Sequence, residues 1–110
     1  GFVTSLDTQA IGFASWDPRG FPDCGVIGHN CILTAFRGRG YGTAQIRRVL
    51  CILRVRGFAR ARVTTGEHPF FAPAQRMYET CGFREVERGY RDPRVPLRMI
   101  DYTLSLRTRR

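Results

Sequence analysis

The sequence contains no lysine. All 18 of its basic side chains are arginine, set against nine acidic residues, for a formal net charge of +9. A nucleic-acid surface ordinarily mixes the two cations, since lysine also pairs with phosphate. Arginine alone is therefore poor ground for a nucleic-acid partner. The missing lysine also removes the G-K-[ST] end of a Walker loop. No C-x-x-C pair occurs among Cys24, Cys31, Cys51 and Cys81, so a zinc site is not supported and no metal is expected. Three of the four cysteines sit among apolar neighbours, which suits buried free thiols in a reducing compartment, and a cytoplasmic location is expected. No apolar run approaches the ~20 residues of a membrane span. No basic-then-apolar segment of the signal-peptide kind opens the sequence.

What is present is enough to build a core. Of the 110 residues 43% are hydrophobic and 12% aromatic, which argues against disorder and for a single domain over 1–110. Gly1 to Leu6 and Ala10 to Trp16 read as two strands around a polar turn, and Asp17-Pro18-Arg19-Gly20 ends the second. Gly25 to Leu33 is a third, largely apolar strand. A helix follows, with Ile46, Val49, Leu50 and Leu53 at i, i+3, i+4 and i+7, stopped by Gly57. Ala59 to Thr65 is a fourth strand. Pro73 suits the first turn of a second helix, whose apolar face is Ala74, Met77, Tyr78 and Cys81. Phe83 to Arg88 and Leu97 to Leu106 complete the strands, and the tail 107–110 is expected to fray. The order β-β-β-α-β-α-β-β predicts a mixed α/β fold in which the third and fourth strands run parallel.

The most specific signal lies where the third strand meets the first helix. Arg37-Gly38-Arg39-Gly40-Tyr41-Gly42-Thr43 places three glycines and two arginines at a helix start. Glycines allow close backbone approach, the first amides of a helix point outward, and the helix end is partly positive. This combination suits a pyrophosphate. A dinucleotide loop requires G-x-G-x-x-G, but Thr43 occupies the third position, so that reading is the weaker one.

The pattern Arg37-x-x-Gly40-x-Gly42 resembles the acyl-CoA loop of the GCN5-related N-acetyltransferases. Ile32, Leu33 and Thr34 match the strand end that leads into it. Ala74-x-x-Met77-Tyr78-x-x-x-Gly82-Phe83 is similar to the helix and turn that follow in the family. The resemblance covers nearly the whole chain, beginning at the family's second strand. The strand and helices that precede it there, which line the acceptor side, are expected to be missing from these residues.

The resemblance implies direct transfer of an acetyl group from acetyl-CoA to a primary amine. The third and fourth strands would part, and the pantetheine arm would lie between them beside Ile32 and Thr34. A backbone amide near Leu33 would polarise the thioester carbonyl, and the pyrophosphate would rest on Arg37 to Thr43. Phe71 stands where the family often has Asn and would wall the arm together with Ala74. Tyr78 would donate a proton to the departing thiolate. For the base, Glu67 and His68 follow the fourth strand. On the third strand the matching face carries Val26, Gly28 and Asn30, and strict alternation turns His29 away. Asp101, on the polar face of the last strand, is a candidate to hold a cationic amine. The open first strand offers an edge for a homodimer. A non-catalytic acyl-CoA-binding domain and an arginine-driven nucleic-acid module are the alternatives.

Overall fold

The computed structural model describes residues 1–107; of the tail expected to fray, 108–110 lie outside the described residues. Six strands and two helices follow one another as β1 (Phe2–Leu6), β2 (Gln9–Gly20), β3 (Cys24–Ile32), α1 (Tyr41–Val55), β4 (Arg60–Gly66), α2 (Ala72–Thr80), β5 (Arg84–Tyr90) and β6 (Arg98–Ser105). The sheet order is β1-β2-β3-β4-β6-β5. All neighbours are antiparallel except β3 and β4, which run parallel. That is the mixed sheet the element order predicts. One boundary differs by more than two residues: β2 runs on through Asp17 and Pro18 to Gly20. It continues as an outer partner of β3, with Gly20 opposite Cys24, where a proline's missing N–H is tolerated.

Both helices pack on one face of the sheet. The fully buried Ile46, Val49 and Leu53 of α1 meet Ala14, Ile27, Ala61 and Ile100 in a single core. Gly25 lies directly under Leu53, where a Cβ would come within 2.9 Å of its methyls. α2 enters the same core through Tyr78, whose ring packs 5.8 Å from both Phe83 and Tyr102. Trp16 packs at the margin, between Phe2 and the Arg56 guanidinium. The alternation of β6 holds as expected, with Ile100 and Tyr102 inward.

The opposite sheet face carries the remaining side chains of β2, β3 and β4, among them Phe13, Ser15, Val26, His29, Arg60, Arg62 and Thr64. Most acidic side chains of the chain are paired. Seven of the nine acidic residues (Asp17, Asp23, Glu67, Glu85, Glu87, Asp92 and Asp101) each face an arginine within 4 Å.

Candidate active site

The central feature is a gap. β3 and β4 pair only at Cys24↔Arg60, Gly25↔Ala61 and Val26↔Arg62. β3 then continues to Ile32 and β4 to Gly66 without pairing to each other. A bulge causes the departure. Ser15 faces His29 while Trp16 faces Ile27, so Gly28 is the extra residue on β3. A bulge bends its strand and shifts the alternation of side chains.

That shift overturns the facing read from strict alternation. His29 falls on the face of Val26, and its ring lies 6.0 Å from Phe13. Asn30 turns inward beneath α1. Its Oδ1 accepts from Gln45 Nε2 at 2.9 Å, and its Nδ2 approaches the Gly42 carbonyl and the Met77 sulfur. Gln45 is the residue that periodicity missed, because a polar residue in a helix reads as solvated. It is 1% exposed, also donates to the carbonyls of Phe13 and Cys31, and leaves Oε1 without a partner among the described residues. It ties the bent half of β3 to α1.

Peptide directions along β3 follow from one bond. The Leu33 N–H donates to the Ile11 carbonyl at 2.8 Å. Leu33 therefore spends its own amide on β2, so a free amide near it belongs to a neighbouring residue. In an antiparallel ladder successive peptide groups point in opposite directions. The N–H groups of Asn30 and Ile32 accordingly point into the gap. Thr34 has left the strand and opens a short 3-10 turn, Thr34–Phe36.

The glycine loop adjoins this strand end. Gly38 and Gly40 have φ of +77° and +87°, and nothing lies within 4 Å of a Cβ built on either. Gly40 is the N-cap of α1 and supplies no side-chain cap. The N–H groups of Tyr41, Gly42 and Thr43, in the first helical turn, therefore have no intrahelical acceptor. Arg39 lies over the Phe36 ring at 5.7 Å. Arg37 donates its Nε to the Ile32 carbonyl at 3.1 Å, which leaves the end of its guanidinium for an anion. Gly42 packs against Met77, with 3.2 Å from a Cβ to the sulfur.

Tyr78 is buried, and burial pushes its phenol up to about 12, with Cys31 and Cys81 adding to the shift. It is a neutral proton donor at any physiological pH. Ala74 is partly buried against the core on the same helix.

Glu67 and His68 lie together beyond the end of β4, both already engaged. Glu67 accepts from Arg98 Nε at 3.0 and 3.2 Å and has Arg88 at 3.6 Å. His68 Nδ1 accepts from the Phe70 N–H at 3.0 Å. A neutral imidazole that accepts at Nδ1 carries its proton on Nε2. His68 thus presents a donor outward, not a base. His29 differs. Its N–H donates to Ser15 Oγ at 3.1 Å and its Nδ1 lies 2.8 Å from the same oxygen. Where that oxygen accepts from both groups the His29 Nε2 lone pair is free, and where its O–H donates to Nδ1 the ring proton sits on Nε2.

Asp101 is likewise committed. One carboxylate oxygen bonds Thr64, and the other takes Arg91 at 2.6 Å with Arg62 at 3.4 Å. Two guanidiniums already occupy the place proposed for a cationic amine. Among the described residues no group of three or more His, Cys, Asp or Glu is arranged to hold a metal. No helix is long and apolar enough to cross a membrane.

The profile of the acetyltransferase (GNAT) family matches residues 1–83. The chain belongs to the GNAT acetyltransferase family. No curated protein matches it. Solved structures share its fold at low identity. A GNAT-family structure from Desulfovibrio desulfuricans superposes with a TM-score of 0.84 at 20% identity, over 96% of this chain and 67% of that one. The ribosomal-protein-S18-alanine N-acetyltransferase of Escherichia coli gives 0.80 at 18% identity, over 96% and 67%. A GNAT-family acetyltransferase from Elizabethkingia anophelis, solved with acetyl-CoA bound, gives 0.82 at 16% identity, over 94% and 73%. This GNAT chain thus spans about two thirds of the first two of those structures.

Proposed function

We propose that this GNAT chain transfers an acetyl group from acetyl-CoA directly to a primary amine. The observation that carries the reading is the gap between β3 and β4 beyond Val26 and Arg62, opening beside a glycine loop whose amides lack partners. The loop fits a pyrophosphate on its own terms: left-handed glycines with empty space above them, a positive helix end and two arginines. Ile32 and Asn30 offer N–H groups to the pantetheine amides and to the thioester oxygen, where Leu33 does not. Phe71 and Ala74 stand on the α2 side.

Acetyl-CoA supplies an activated acetyl thioester when bound. The residues of the chain then have four tasks. The Gly38–Thr43 backbone, with Arg37 and Arg39, holds the anion. A β3 amide facing the gap stabilises charge growing on the carbonyl oxygen. His29 takes the amine proton through Nε2 as the nitrogen–carbon bond forms. Tyr78 gives its proton to sulfur as the carbon–sulfur bond breaks. Glu67 and His68 shape the wall instead of accepting that proton. Bringing both reactants into one gap removes much of the entropic barrier.

The test is thiol release from acetyl-CoA with a panel of primary amines, followed by mass spectrometry of the products. Acetylated amine in step with released CoA is expected. Acetyl-CoA binding without release on any amine would leave a binding domain and sink the transfer reading.

A further inference from the structure

A cavity of about 520 Å³ opens at the far end of β4. Its floor includes Thr64, Thr65 and Gly66, the stretch of β4 that is unpaired on its β3 side. The cavity borders the β4 side of the gap in which the transfer is placed, and its other lining comes from the segment before α2 and from β5, β6 and their connection. Its walls are largely apolar: Pro69 and Phe71 before α2, and Tyr90, Pro96, Leu97 and Met99 from the β5–β6 connection. Leu97 and Tyr90 are 56% and 61% exposed, so apolar surface stands open there without an internal partner.

Most of the polar groups around the cavity are engaged elsewhere. Glu67 is held by Arg98 and Arg88. Arg98 spends its Nε on Glu67 and lies over the Tyr90 ring at 5.3 Å. The Thr64 hydroxyl is bonded to Asp101, and His68 Nδ1 to the Phe70 amide. A wall whose charges are neutralised among themselves has little to offer a second cation, and desolvating a charge against it is costly. An apolar group gains by leaving water there.

We propose that this cavity seats a bulky apolar group, aromatic or branched aliphatic, carried by the amine acceptor, and that Leu97 contributes to that selection. The acceptor class is thus an arylalkylamine or a hydrophobic residue bearing a free amine, not a polyamine or an aminoglycoside. The inference rests on the transfer reading for its placement of the amine. Apolar capture by the cavity is measurable without turnover.

Two measurements on the full 110-residue chain separate the two claims. In the first, kcat/KM is compared for phenethylamine and tryptamine against putrescine and spermidine at saturating acetyl-CoA. A preference of at least about tenfold for the aryl amines is expected, a difference the size of a well-packed apolar group. Leu97→Asp should lose that preference through KM, Leu97→Met should restore it, and both should leave acetyl-CoA affinity unchanged. In the second, methyl resonances of Leu97 and Met99 are followed as phenethylamine is added to the CoA-loaded protein. Saturable shifts in the wild type, absent with putrescine and weakened in Leu97→Asp, support the cavity even where no amine is turned over; that outcome would count against the transfer reading alone. Equal or better turnover of the polyamines, or absence of methyl shifts with phenethylamine, overturns the inference.

Discussion

Val26 and Arg62 are the last residues at which the parallel strands β3 and β4 are joined. Beyond them a bulge at Gly28 bends β3 away, and the Asn30–Gln45 bond secures the bent half to α1. The gap is therefore built by the chain itself, from one glycine and one partly buried amide pair. The glycine loop adjoins the bent end of β3, and Tyr78 and His29 are the side chains assigned to the proposed transfer.

The glycine loop gives the first prediction. A side chain at Gly40 would be forced into the left-handed region at φ +87°, at a cost of about 1–2 kcal/mol. It would also fill the open space beside the amides proposed to hold the anion. Gly40→Val is expected to lower stability by that amount in urea unfolding and to weaken acetyl-CoA binding by at least about tenfold, or ~1.4 kcal/mol. Binding that survives intact would remove the loop from the site.

Tyr78 gives the second. Tyr78→Phe should keep acetyl-CoA affinity and lose about 10²-fold or more in kcat, the usual range for a lost general acid. Because the phenol sits near 12 in the folded chain and at about 10 when unfolded, the sign for stability is fixed. The folded state binds the proton more tightly, so the stability this phenol contributes is complete below about pH 10 and falls away between about 10 and 12. Melting temperature across that window should fall less steeply in Tyr78→Phe than in the wild type.

The base assignment separates three residues by their hydrogen bonds. His29→Gln should lower kcat by about 10²-fold or more, and Ser15→Ala should lower it less by freeing the ring. Glu67→Gln and His68→Gln should change kcat little, the first acting mainly through the Arg98 pair. A larger loss at His68 than at His29 would reverse the assignment.

Gly66 and Phe71 give a packing prediction. A Cβ on Gly66 would collide with the Phe71 ring. Gly66→Ala should cost about 1–3 kcal/mol as overpacking does, and Phe71→Ala in the same chain should recover part of it. Denaturant unfolding of the two single variants and the double variant measures the coupling directly.

Much of the fold was legible because it depends on local signals. The i, i+3, i+4, i+7 face of α1, the alternation of β6 and the glycine stop at Gly57 each state their own element. The loop was legible for the same reason, since Gly38, Gly40 and Gly42 fall within five residues. The site beyond the loop was not. A bulge is one residue of mismatch between two strands, and β3 alone does not reveal it; without Gly28 displaced, His29 and Asn30 exchange faces. Leu33, Glu67, His68 and Asp101 are of the residue types and in the positions that chemistry would use. What they bond to (Ile11, Arg98, Phe70, and Arg91 with Arg62) is distant in sequence or a matter of loop geometry. Gln45 was hidden because a buried amide inside a helix looks like any exposed one.

Isothermal titration of the 110-residue chain with acetyl-CoA, run beside Gly40→Val, tests the central claim most directly. One site is expected, with a dissociation constant on the order of tens of micromolar or tighter and a clear weakening in the variant. Absence of binding at that concentration, or equal binding by both proteins, would contradict that claim.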